Sequence, residues 1–189
     1  MKKIFLDEDQ LISDSFRLAT NIYKSGFRPT FIVGIWRGGS AVGIYVQECF
    51  QTLGVKTDHI SVRTSYRGLP SYESMVNDPE SIRVHGTQYL IENLNSDDSL
   101  LIVDDVFSSG YSIDATLKRL KKHLKKNMPE NIKVATLYAR EGYQKTDIKP
   151  DYVLHTTKDW LVFPYELKGL SIEEIELNKP YVAGLLEGG

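Results

Sequence analysis

In the stretch LLIVDDVFSSGYSI, two adjacent carboxylates, Asp104 and Asp105, follow a run of four aliphatic residues. Five mostly small residues come soon after, Ser108-Ser109-Gly110-Tyr111-Ser112, where a helix is predicted to start. Hydroxyls and a glycine there suit a phosphate. The first N–H groups of a helix lack partners within it, its dipole end is positive, and small side chains let an anion approach the backbone. Asp104 and Asp105 beside such a cradle suit sugar hydroxyls, or chemistry through a divalent ion. The same residues also read as an ordinary strand-end turn with Ser109 or Ser112 as N-cap. The stretch is neither a Walker loop, since Gly-Lys-Ser/Thr is missing, nor a dinucleotide fingerprint.

Such a turn needs a strand before it and a helix behind it. Leu100–Val103 reads as a buried strand that ends at the aspartates. Ile113, Leu117, Leu120 and Leu124 recur three and four residues apart and predict an amphipathic helix. Its far end is basic (Lys118, Arg119, Lys121, Lys122, Lys125, Lys126), as suits a helix C-terminus and a solvated face. Upstream, a helix is predicted over 9–25, stopped by Gly26, then a strand at Phe31–Trp36. The Gly-rich turn Arg37-Gly38-Gly39 leads into a second helix from about Ser40 to Leu53, with Gly54 ending it. Val55–Arg63 reads as a strand, order returns at Thr87–Asn93, and further strands are expected at Ile132–Tyr138 and Asp151–His155. Short apolar strands separated by helices predict an α/β fold with a mostly parallel sheet. Between them, about 64–86 holds Gly68, Pro70, Asn77, Asp78 and Pro79 with few apolar anchors, and is expected to be a mobile, functional loop.

The chain has 189 residues, a length that suits a single domain over 1–189. Lys plus Arg total 23 and Asp plus Glu 25, so the net charge is 23 − 25 = −2. That balance argues against a protein that coats nucleic acid. Cys49 is the only cysteine, which excludes a disulfide scaffold. The histidines (His59, His85, His123, His155) lie too scattered for metal-ligand spacing. No apolar run approaches the ~20 residues that span a bilayer, so no membrane partner is expected. The start MKKIFLDEDQ turns acidic too early for a signal peptide, and a cytoplasmic location is expected.

The block from Leu100 to Ser112 resembles the phosphoribosyl pyrophosphate (PRPP)-binding signature of the type I phosphoribosyltransferases: an apolar strand, two acids, two apolar residues, a small polar pair, Gly, any residue, and Ser or Thr. The resemblance spans roughly residues 30–166 and is nearest to the 6-oxopurine (hypoxanthine/xanthine/guanine) branch. It implies a type I phosphoribosyltransferase fold with a core over about 30–155. A small hood is implied at 156–177, with the N-terminal segment a candidate addition. Ile35-Trp36-Arg37-Gly38-Gly39 resembles the pyrophosphate loop, which in that family often holds a non-proline cis peptide, here Trp36–Arg37. By the same resemblance Arg37, Gly38 and Gly39 hold pyrophosphate, Ser108–Ser112 hold the 5′-phosphate, and Asp104 and Asp105 fix the ribose. Arg63-Thr64-Ser65-Tyr66-Arg67 resembles the start of the mobile catalytic loop, with Ser65 and Tyr66 as its Ser-Tyr pair; such loops exclude water from the reaction. Ile132–Arg140 is similar to the strand whose terminal basic residue hydrogen-bonds the 6-oxo group, a role that falls to Arg140. Asp159–Glu166 looks like the purine hood, in which Trp160 stacks on the base and the Leu161 backbone reads the ring edge. Glu166, or a neighbour, is implied to help hold magnesium, and Mg2+ accompanies PRPP as co-substrate. The implied reaction gives a nucleoside monophosphate and pyrophosphate. A homo-oligomer, dimer or tetramer, is the family's expectation.

One departure stands out. Many purine enzymes of the family carry an aspartate, a candidate general base, where this chain has Ser108, and serine cannot do that work at neutral pH without activation. Base deprotonation would then fall to solvent or to Asp105. Two other readings remain open. One keeps the chemistry and changes the base to orotate, adenine or uracil, with Arg63 and Arg67 in the loop. The other is a non-catalytic PRPP- or nucleotide-sensing regulator that touches RNA or DNA through Lys118–Lys126. A solvated helix face explains that basic run more cheaply.

Overall fold

The computed structural model describes residues 3–66 and 82–186. In chain order these form β1 (Lys3–Phe5), α1 (Glu8–Lys24), β2 (Phe31–Trp36), α2 (Gly38–Thr52), β3 (Asp58–Tyr66), β4 (Ile82–His85) and α3 (Gln88–Asn93). There follow β5 (Ser99–Phe107), α4 (Tyr111–Leu124), a 3-10 turn at Lys125–Asn127, β6 (Asn131–Arg140), β7 (Tyr152–Thr157), β8 (Trp160–Val162), α5 (Ile172–Asn178) and α6 (Pro180–Leu186). They gather into two compact units, residues 12–158 and residues 1–11 with 159–189.

The larger unit is built on a six-stranded sheet in the order β4-β3-β2-β5-β6-β7. Every neighbouring pair is parallel except β3 and β4. Parallel strands connected by helices are covered on both faces, which favours unbroken apolar runs over alternation. Leu100, Leu101, Ile102 and Val103 accordingly have no exposed surface at all. On one face Val33, Ile35, Val62, Leu100 and Ile102 share a core with Leu90 of α3 and with Ile113, Leu120 and Leu124 of α4. The apolar spacing of α4 is thus the face that packs on the sheet.

Three sequence expectations need correction here. β5 does not end at the aspartates: Asp104 pairs with Thr136, and the ladder with β6 continues to Phe107. Thr136 secures the extension, its Oγ1 accepting from Phe107 N–H at 3.1 Å and donating to Tyr138 O at 2.9 Å. β2, by contrast, leaves β5 after Gly34 pairs with Val103, so the carboxylates stand where the sheet opens. The expected loop over 64–86 is also shorter, because Thr64–Tyr66 pair antiparallel with Ile82–Val84, and Arg63 with His85. Positions 67–81, with Gly68 and Pro70, lie outside the described residues. Finally, α2 starts two residues early, at Gly38.

In the smaller unit β1 runs parallel to β8, with Lys3, Ile4 and Phe5 opposite Trp160, Leu161 and Val162. Lys3 Nζ meets both Glu174 carboxylate oxygens at 2.7 Å. Glu174 also closes a capping box with Ser171 at the start of α5. This unit begins at Asp159 and takes in the first eleven residues. Among the described residues no helix is long and apolar enough to cross a membrane.

Candidate active site

The site begins where β2 passes into α2. The Trp36–Arg37 peptide is cis, at the position the resemblance implied. Helix α2 then starts with no side-chain cap. A Cβ on Gly39 would overlap the Val103 carbonyl oxygen and lie 2.9 Å from Asp104 Cα and 3.2 Å from its Oδ1. Only glycine lets the first turn of α2 lie this closely against β5. Ser40 follows, 8% exposed, its Oγ buried and without a hydrogen bond in the described structure. The sequence reading passed over Ser40, although a hydroxyl just after Gly38-Gly39 at a helix start was its visible signal.

Asp104 lies against this turn from β5, with Asp105 next to it in the strand. Each carboxylate accepts the next backbone N–H: Asp105 N to Asp104 Oδ1 at 3.0 Å, and Val106 N to Asp105 Oδ1 at 2.9 Å. Burial first, and the Asp105 charge second, push the Asp104 carboxyl well above its ordinary range. The hard oxygens of the two carboxylates suit a magnesium ion that keeps much of its own water. Among the described residues no group of three His, Cys, Asp or Glu is arranged around a common point.

The phosphate turn follows. Gly110 has φ +84°, and a Cβ there would strike Thr146 Oγ1 and come within 3.0 Å of the Phe107 ring. That glycine opens α4 without a side-chain cap, and Ser109 Oγ reaches Tyr111 N–H only at 3.4 Å. Ser109 O is gripped from beneath by Lys145 N–H at 3.0 Å and Thr146 Oγ1 at 3.4 Å. Ser112 Oγ lies 3.1 Å from Thr64 Oγ1, which ties the α4 start to β3. The start of α2 thus lies against Asp104, and the start of α4 follows four residues after the last residue of the same strand, Phe107.

The remaining candidates are placed as follows. Ser65 Oγ lies 2.7 Å from His85 Nε2 across the β3–β4 ladder. His85 carried no sequence signal, because only the antiparallel register brings it there. Tyr66 closes β3. Arg37 is exposed beside the cis peptide. Arg140 ends β6 at 8% exposure, its guanidinium 3.8 Å from the centre of the Tyr143 ring. Trp160 and Leu161 belong to β8 of the smaller unit, the first 45% exposed and the second buried. Glu166, also in that unit, has a structural partner: its Oε2 accepts Phe163 N–H at 3.1 Å.

A mostly parallel sheet flanked by helices, with both helix starts near the carboxyl end of its central strand β5, defines an α/β protein of the type I phosphoribosyltransferase fold. Residues 3–169 match the phosphoribosyl transferase domain, and the chain belongs to that family. It is 28% identical over 154 residues to the bifunctional protein PyrR of Macrococcus caseolyticus, across 80% of this chain and 83% of that one. It is 25% identical over 189 residues to a hypoxanthine-guanine phosphoribosyltransferase of Streptococcus pneumoniae, across 99% and 94% of the two chains. A purine phosphoribosyltransferase structure from Pyrococcus horikoshii superposes with a TM-score of 0.64 at 23% identity, covering 90% of this chain and 99% of that one.

Proposed function

We propose that the protein transfers the 5-phosphoribosyl group from PRPP to a 6-oxopurine base, hypoxanthine, guanine or xanthine. The observation that carries this reading is a pair of uncapped helix starts, α2 packed against Asp104 and α4 at the exit of the same strand. PRPP needs such a pair of anion sites, one for each of its phosphate ends, with hydroxyl acceptors between them. The full-length likeness to the pneumococcal enzyme supports a 6-oxopurine as the acceptor.

In this mechanism the Ser108–Ser112 turn holds the 5′-phosphate with backbone N–H groups and the Ser112 hydroxyl. Asp104 and Asp105 accept the ribose hydroxyls, which donate to them. Arg37 and the N–H groups of Gly38 and Gly39 hold the pyrophosphate, with the Ser40 hydroxyl as a further donor. The bond from carbon 1 to the pyrophosphate oxygen breaks as a purine ring nitrogen bonds to that carbon, and the nitrogen's proton leaves to solvent or to Asp105. Donors fixed in advance on the leaving group lower the barrier, because charge grows there as the bond breaks. Magnesium bound beside Asp104 and Asp105 would neutralise pyrophosphate charge. Ser65 and Tyr66 shield the centre from water, while Arg140, Trp160 and Leu161 select the base.

Initial velocities with PRPP, magnesium and a base panel test the proposal. Turnover of hypoxanthine, guanine or xanthine supports it, and turnover of orotate, adenine or uracil alone overturns the choice of base. Silence across the panel with PRPP still bound makes the chain a sensor.

A further inference from the structure

Lys179 is 2% exposed, an unusual place for an ammonium group. It caps the C-terminal end of α5, its N–H donating to Ile175 O at 2.7 Å. Its Nζ donates to two successive carbonyls, Phe163 O at 2.8 Å and Pro164 O at 2.9 Å. Burial lowers its pKa, and the Glu166 carboxylate nearby acts the other way. Glu166 grips the same turn: its N–H donates to Phe163 O at 3.0 Å, and its Oε2 accepts Phe163 N–H at 3.1 Å. A buried cation is tolerated only where acceptors and a counter-charge surround it, and here both are supplied.

The turn held in this way is the exit of β8. Phe163 directly follows Val162, the last residue of the strand that carries Trp160 and Leu161. Trp160, Val162 and Glu166 line an open cleft with Lys3, Lys168 and Leu170. The lysine therefore holds the turn that joins Val162 to Glu166, two residues of the cleft wall. Without it Pro164 O would lose this donor and Phe163 O would keep only the Glu166 N–H, so the strand end could turn to find water.

We propose that Lys179 is a positioning residue for the nucleobase: its ammonium locks the Phe163–Glu166 turn and so holds Trp160 and Leu161 in the attitude that reads the purine ring. This rests on the base-reading role given to those two residues above. A structural role alone would lower stability and weaken all ligands together. Positioning of the base reader weakens only ligands that carry a base.

The test compares Lys179→Met with Lys179→Arg, which keeps the charge and the donors. Two readouts apply: KM for guanine against KM for PRPP, and affinity for guanosine 5′-monophosphate against ribose 5-phosphate, which lacks the base. Lys179→Met is expected to raise the guanine KM tenfold or more and to weaken the nucleotide equally, with PRPP and ribose 5-phosphate within twofold. Lys179→Arg should recover part of the loss. A guanine KM within twofold of wild type, or equal weakening of all four ligands, overturns the proposal. If Lys179→Met does not fold, Lys179→Gln, which keeps a donor and drops the charge, is read by the same two criteria. Trp160→Ala, measured in parallel, separates the two levels of inference. A normal guanine KM in Trp160→Ala refutes the base-reading role itself; a raised value beside an unaffected Lys179→Met refutes only the role of the lysine.

Discussion

Gly39→Ala asks whether the close approach of α2 to β5 builds the site. The added methyl would overlap the Val103 carbonyl and sit 2.9 Å from Asp104 Cα. Carbon atoms at rest lie about 3.5–4.0 Å apart, so the shortfall is roughly 0.6–1.1 Å. β5 cannot yield, because Val103 is fully buried and paired on both sides, with Gly34 of β2 and Ala135 of β6. The first turn of α2 must therefore back away by about 1 Å, carrying Arg37 and Gly38 with it. Overpacking of this kind costs about 2 kcal/mol of stability. A misplacement near 1 Å in a site of this type costs roughly a hundredfold in kcat/KM. Urea unfolding reads the first quantity and initial rates with PRPP the second. Pyrophosphate inhibition should weaken in step with the rate, while ribose 5-phosphate, held also by the α4 start, should weaken much less. A variant with kcat/KM within threefold of wild type, or one that weakens ribose 5-phosphate as much as pyrophosphate, refutes the reasoning.

Asp104→Asn should both stabilise and disable the protein. Folding raises the pKa of this carboxyl, so its stability penalty is absent at acid pH and grows as pH climbs from the ordinary carboxylate range through the folded value. Urea midpoints from pH 4 to 8 should show the variant gaining on wild type over that window, while kcat/KM falls about thirtyfold, the worth of one charged hydrogen bond of about 2 kcal/mol. A constant stability difference would refute the assignment. Ser112→Ala removes a phosphate donor together with the tie to Thr64, so it should lose about 1 kcal/mol and raise the PRPP KM roughly tenfold. Thr64→Val loses the same tie and keeps the Ser112 hydroxyl, so its PRPP KM should stay within threefold of wild type.

The β5–turn–α4 unit could be read in the sequence because its signals are local. A continuous apolar run, two acids, a small-residue turn and a helical apolar spacing sit within one stretch of chain, and each constrains the next. The last part of β5 was missed because Asp104 and Asp105 look like a strand end. What keeps them extended is Thr136 on β6, a partner found only through parallel pairing. Distance along the chain also hid β1, three residues whose partner is β8 at the other end of the sequence. The C-terminal helices lacked an apolar stripe to announce them, since Ile172, Leu177, Tyr181 and Leu185 are all exposed. Ser171 and Glu174, however, stood at capping-box spacing and were a usable signal for the start of α5.

The unfavourable setting of Asp104 makes a further demand on the proposed chemistry. A carboxyl with a raised pKa is held back from ionising by burial and by Asp105. Ribose hydroxyls that donate to it would stabilise its charged form, so sugar binding must lower that pKa and expel a proton. Ribose 5-phosphate titrated calorimetrically in buffers of different ionisation enthalpy measures the proton count directly. The phosphate can lose a proton of its own as it enters the α4 start, so wild type alone does not decide the matter. Asp104→Asn keeps the phosphate site and removes the carboxyl, and the difference in protons released isolates Asp104. That difference should be positive below the folded pKa of Asp104 and vanish above it. Equal release from the two proteins throughout would mean that the sugar hydroxyls do not rest on Asp104. The strained carboxylate pair would then need another ligand to justify it.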